Sequence, residues 1–292
     1  MTEHSATDCS SLSVQPYTDT FAAKVSGIDL SRPLSPEISQ EIRNTFGYFG
    51  VLVFRDQTLT PTQFSGFSKN IGRLHVHHLA ENTFPDHPEV RVLSNVKKKG
   101  KYIGQYRAGH YWHTDLIFLE QVGYATILHG VECPPEGADT LFADVRTAYD
   151  EMPDAMRCQL EGKTALHDHV YSYNTIYPER APLTERQIAG VPPVQHPMIC
   201  VHPQTGRKAV YITAPTTRTI GDLNEQETSA LLRDVEVFCT QDKYVYAHKW
   251  QKGDVLMWDN LCCLHAATSF DEKYDRLLYR TQILHEGPVP TA

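Results

Sequence analysis

At 292 residues, 41% hydrophobic and 21% charged, the chain has room for one large domain or two small ones and the make-up of a globular protein. A net charge of −8 argues against general binding to nucleic acid, whose phosphates demand a basic surface. No run approaches the roughly 18 apolar residues of a membrane span. The seven cysteines are scattered, with no C-x-x-C, which points to a reducing cytoplasm rather than a disulfide framework.

The first residues, MTEHSATDCSSLS, lack the basic-then-apolar order of a signal peptide. Residues 1–12 are expected to be a disordered lead, with 13–292 as a single domain. Ser35-Pro36 reads as an N-cap followed by proline at the first helical position, ahead of EISQEIRNTFGYFG. Thr60-Pro61 repeats the device before TQFSGFSKNIG, and GVLVFRD between them has strand character. Further helices are expected at 145–161 and 224–238. Short strands are expected at EVRVLSN, YWHTDLIF, YATILHGVE, TLFAD, MICVHP, KAVYIT, YVYAHKW, DVLMWDN and LLYRTQIL, separated by turns such as CPPEGAD and QKGD. Many short strands with segregated helices predict a mainly β chain, a sandwich or jelly roll with flanking helices. A doubly wound α/β fold is disfavoured, since neither G-x-G-x-x-G nor a Walker-type loop occurs.

His113-Thr114-Asp115 is the chain's one His-x-Asp. On a strand, residues i and i+2 share a face about 7 Å apart, so these two could aim an imidazole and a carboxylate at one point. With a distant histidine such as His265, after DVLMWDN, they would form a facial triad suited to non-haem Fe(II). Chance alone supplies about one such pair in a chain of this composition. A structural polar pair in a core therefore stays open. Arg276 and Arg280, four apart in an otherwise apolar strand, would lie on one face roughly 13 Å apart. Such arginines are costly unless each meets an anion, which implies two acidic small molecules, or one and a structural carboxylate. Two surface arginines on an edge strand are the plainer alternative.

Taken in order, WHTD (112–115), GADTLFAD (137–144), HPQTGRKAVYI (202–212), WDNLCCLH (258–265) and the two arginines 11 and 15 residues after His265 resemble one known family. It is the taurine dioxygenase / 2,4-dichlorophenoxyacetate dioxygenase group of Fe(II)- and 2-oxoglutarate-dependent oxygenases, and the resemblance spans roughly residues 15–285.

The resemblance implies a double-stranded β-helix with iron held by His113, Asp115 and His265. Arg276 and Thr140 would bind the distal carboxylate of 2-oxoglutarate, while Arg280 and His77 would face the anionic group of the primary substrate. The implied reaction consumes O2 and 2-oxoglutarate, releases succinate and CO2, and oxidises an aliphatic C–H of a small carboxylate, sulfonate or sulfate ester. Ala80 stands where taurine-specific members carry a tyrosine, which argues against taurine itself. NVKKKGKYIGQYR carries five basic residues just before the segment that holds His113 and Asp115 and reads as a solvated loop or as a lid attracting acidic substrates. HDH at 167–169 reads as pocket lining or core. Two other readings of the same residues stand beside the oxygenase: a zinc-dependent hydrolase on the same His/Asp/His site, and a non-catalytic jelly-roll binding protein. The oligomeric state is open, a homo-oligomer included.

Overall fold

The computed structural model describes residues 12–76, 82–106, 109–178 and 180–291. Of the expected lead only Leu12 is described, and it is buried. The chain is mostly β with several helices. Its main sheet has eight strands in the order Ser13–Pro16, Ala23–Ser26, Val51–Phe54, Val255–Asp259, Gly123–Glu132, Leu277–Leu284, His87–Ser94 and Thr83–Phe84. Neighbours run antiparallel, except that Ala23–Ser26 and Val51–Phe54 are parallel. A second sheet consists of Val245–His248, Thr140–Asp144 and Cys263–Ala267.

Alternation along the strands sorts the core into layers. Leu52 and Phe54 join Ile127, Val255 and Met257 on the outer face of the main sheet, packing against Ile42, Phe46, Phe64 and Phe67. These last four belong to the helices Pro36–Phe49 and Pro61–Lys69. Val51, Val53, Leu128, Leu256, Trp258 and Leu278 face inward and meet Phe142 and Cys263 of the second sheet. Beyond that sheet, Ala143, Val145 and Leu264 pack on Leu231, Leu232 and Val235 of the helix Glu225–Cys239. Burial of these faces drives the assembly, at roughly 25 cal/mol per Å2 of apolar surface.

Both early helices start where their caps predict. Ser35 accepts a hydrogen bond from the Ile38 N–H, and Thr60 and Gln63 form a reciprocal capping box. Gly50 ends the first helix with φ +68°, a left-handed conformation that glycine adopts without steric cost.

Three expectations need correction. Residues 145–161 form two helices, Val145–Asp150 and Asp154–Leu160, because Pro153 cannot continue the first. YWHTDLIF is not a strand: His113 makes one isolated bridge to His265, and the chain then turns through Leu116 at φ +58°. Side-chain bonds replace the ladder there, since the Thr114 N–H donates to Thr213 Oγ1 and the Asp115 N–H to Asn260 Oδ1. The helices His169–Ile176 and Glu185–Ala189 were not expected, and Asp168 of HDH is the N-cap of the first. The lysines of NVKKKGKYIGQYR sit on a small exposed hairpin pairing Lys97–Lys98 with Lys101–Tyr102. No helix among the described residues is long and apolar enough to cross a membrane.

Candidate metal and cosubstrate site

The inner face of the main sheet opens between the two sheets into a cavity of about 120 Å3. His113, Asp115 and His265 line it from two different elements. His265 stands on Cys263–Ala267, a strand that sequence reasoning had located only as the region after DVLMWDN. A close pair of backbone hydrogen bonds, 3.0 and 2.8 Å, locks His113 against His265. Their rings lie 4.0 Å apart, centroid to centroid.

The ligand atoms converge. His113 Nε2 lies 3.7 Å from Asp115 Oδ1, and His265 Nε2 lies 3.8 Å from Asp115 Oδ2. These separations are too long for hydrogen bonds and short enough for one common ion. His113 Nδ1 is 2.8 Å from the Tyr111 carbonyl, so the Nδ1–H donates there and Nε2 keeps its lone pair for the cavity. His265 Nδ1 is buried without a hydrogen-bond partner. Thr126 donates to Asp115 Oδ2 at 2.7 Å and accepts from the Asn260 side-chain amide. Gly109 has room for no Cβ, which would come 2.9 Å from His113 Cε1.

Electrostatics suit a cation. Burial alone would push the Asp115 carboxyl up, but the facing side chains of His265, Arg280 and His113 and the Thr126 hydroxyl hold it well below the usual range. Burial pushes both imidazoles down, so each offers a lone pair rather than a proton at neutral pH. Two neutral imidazoles and one ionised carboxylate are a donor set that fits Fe(II).

Thr140 and Arg276 share this cavity. Trp250 Nε1–H donates to Thr140 Oγ1 at 2.9 Å, which fills one lone pair and leaves the hydroxyl proton to donate. Burial pushes the Arg276 guanidinium down to about 10, the mark of a cation short of anions. Arg280 lines the same wall, with Nε buried and unpartnered. Arg276 itself precedes the strand, and a register shift separates Leu277 from Leu278. His77 and Ala80 lie outside the described residues, as does Arg107. His169 lines the cavity, stacked 4.3 Å from Phe118, whereas His167 is buried behind it.

Several lining residues escaped the sequence reading: Arg91, Gln105, Tyr111, Tyr177 and Arg180. For Arg91 a signal existed. It interrupts the apolar run of EVRVLSN, the feature that drew attention to Arg276 and Arg280.

The family model "Taurine catabolism dioxygenase TauD, TfdA family" matches residues 13–282. The chain belongs to the TauD/TfdA dioxygenase family. It is 33% identical over 291 residues to the alpha-ketoglutarate-dependent 2,4-dichlorophenoxyacetate dioxygenase of Cupriavidus pinatubonensis, covering 96% of this chain and 100% of that one. Identity to the alpha-ketoglutarate-dependent sulfate ester dioxygenase of Pseudomonas putida is 27%, over 95% of this chain and 91% of that one. Among solved structures, a taurine dioxygenase from Burkholderia xenovorans superposes with a TM-score of 0.79 at 29% identity, covering 96% of this chain and 92% of that one. AAD-2 in complex with Mn(II) and N-oxalylglycine gives a TM-score of 0.81 at 27% identity, covering 96% of this chain and all of that one.

This TauD/TfdA member is accordingly a non-haem oxidoreductase that depends on Fe(II), 2-oxoglutarate and O2. Family membership decides against the zinc hydrolase and the non-catalytic binding protein.

Proposed function

We propose that the enzyme oxidises an aliphatic C–H of a small organic anion (a carboxylate, sulfonate or sulfate ester) on a double-stranded β-helix formed by residues 13–292 in a reducing cytoplasm. The observation that carries this reading is the sharing of one cavity by the His113/Asp115/His265 cluster and by Arg276, Thr140 and Arg280. Relatives named for 2,4-dichlorophenoxyacetate, (S)-phenoxypropionate and sulfate esters support an anionic substrate.

His113, Asp115 and His265 would hold iron through two neutral imidazoles and one carboxylate. Bound iron supplies activation of dioxygen, coupled to decarboxylation of 2-oxoglutarate to succinate and CO2. Arg276 grips the distal carboxylate of 2-oxoglutarate as a planar fork, and Thr140 adds a hydroxyl donor oriented by Trp250. Arg280 receives the charge of the primary substrate. Leu93, Phe118 and Tyr173 wall the cavity with apolar surface and limit water there.

The test is succinate release measured across a panel of small organic acids. Release that requires both 2-oxoglutarate and one class of anion is the expected result. Release stimulated equally by neutral analogues would overturn the anionic-substrate reading.

A further inference from the structure

Arg91 sits in the middle of His87–Ser94, and its Cα pairs directly with that of Arg280 on the neighbouring strand. Both side chains enter the cavity. Like charges directly opposite on paired strands destabilise a sheet, so this pair works against the fold unless something lies between. Among the described residues lining the cavity, no carboxylate is set between them. Arg91 is 8% exposed, and the Nε of Arg91 and that of Arg280 are both buried without a hydrogen-bond partner.

Alternation explains why the arginine points inward. Val90 packs on the helix side of the sheet and Leu93 on the inner side, which puts Arg91 on the inner face with Leu93. Leu278 marks the same face on the adjacent strand, and Arg280 follows it two residues on. An apolar residue at position 91 would simply have extended the core.

Charge points the same way. Among the described residues lining the cavity, Asp115 is the one carboxylate, against the four arginines 91, 180, 276 and 280. Asp115 faces Arg280 as well as the two histidines with which it would hold iron, and Arg276 is matched to the cosubstrate. Burial first, then the charges of Arg280 and Arg180, push the Arg91 guanidinium down to about 9. A singly charged substrate would satisfy Arg280 and leave Arg91 unanswered.

We propose that Arg91 is a second substrate-binding arginine, and that with Arg280 it selects a substrate bearing two negative charges at the end presented to the main sheet. The chemistry is that of a phosphonate or phosphate monoester, or of two neighbouring carboxylates, bridged by two guanidinium groups. This rests on the oxygenase reading above, keeps its small organic anion, and replaces the single charge of a sulfonate or sulfate ester with two.

The experiment is calorimetric titration of the Fe(II)- and 2-oxoglutarate-loaded enzyme without oxygen, near about pH 8 so that phosphonates carry their second charge. The probes are two matched pairs: benzylphosphonate against benzylsulfonate, and benzylmalonate against 3-phenylpropanoate. In at least one pair the dianion should bind at least about tenfold more tightly. Arg91→Gln should bring that ratio within about twofold of unity and leave 2-oxoglutarate affinity unchanged. Arg91→Leu should fold at least as stably as the parent, because it removes a buried charge set directly opposite Arg280. Equal binding within both pairs, no binding of any probe, or a ratio that survives Arg91→Gln would each overturn the proposal. So would a marked loss of stability in Arg91→Leu, which would make Arg91 structural. Failure of the parent enzyme to bind 2-oxoglutarate would bring down the oxygenase reading itself, and this inference with it.

Discussion

Two clusters in this molecule have nearly the same ingredients and different fates. His113, Asp115 and His265 form one; His202, Asp259 and Cys262 form the other, and in each the potential ligand atoms lie within 4.8 Å of one another. In the second cluster His202 Nε2 meets Asp259 Oδ2 at 2.9 Å, while Thr205 answers His202 Nδ1. Asp259 Oδ1 accepts from the Leu261 N–H, and the His202 and Asp259 side chains are wholly buried. Its lone pairs and protons are spent on each other. In the first cluster the facing atoms stand 3.7 and 3.8 Å apart, beyond hydrogen-bond reach, and border a cavity. Residue identity and spacing do not separate a ligand set from a structural polar cluster. Unspent lone pairs facing open space do.

The comparison is broken or sharpened most strongly by deleting one member of each. Asp115→Ala should abolish iron uptake and cut 2-oxoglutarate-dependent succinate formation by more than about 100-fold, beyond what loss of an outer-shell contact costs. His202→Ala should retain iron, measured by metal content after gel filtration. It should instead lose about 3–5 kcal/mol of stability in denaturant unfolding, because Asp259 is left buried and uncompensated. Iron lost from both variants, or from neither, would erase the distinction.

The next largest effect concerns the arginines. Arg276→Gln should weaken 2-oxoglutarate by about 100-fold or more, as when one partner of a buried ion pair is removed. Arg280→Gln should change that affinity by less than about threefold. Equal losses in anaerobic titrations would mean that the two roles are misassigned.

How much of this could be read from the sequence differed by region. The early helices were legible because Ser35-Pro36 and Thr60-Pro61 act locally, through caps on their own turns. YWHTDLIF was misread as a strand because its conformation is set from far away, by Thr213 and Asn260. The convergence of His113 and Asp115 therefore owes nothing to strand alternation. His265 was a candidate from its place after DVLMWDN and was supported by family resemblance, but its strand pairing with Thr140–Asp144 was not legible locally. Arg91 was missed although it interrupts an apolar strand, because its meaning lies in register with Arg280, a pairing no local pattern announces.

Smaller effects test the supports. Thr126→Val removes the hydroxyl that donates to Asp115 and should weaken iron by about tenfold, read by competition with a chelator. Thr140→Val removes one neutral hydrogen bond, worth roughly 0.5–1.5 kcal/mol, and should weaken 2-oxoglutarate about threefold to tenfold. A larger collapse with an altered circular dichroism spectrum would instead assign Thr140 to the fold through Trp250.

The most direct measurement is an anaerobic titration of the Fe(II)-loaded protein with 2-oxoglutarate, followed by visible absorption. A weak charge-transfer band should grow to saturation in the parent chain and in His202→Ala, and should be absent in His265→Ala. Contradiction would come from a band that persists without His265, or from iron that stays bound in the parent chain while saturating 2-oxoglutarate produces no band.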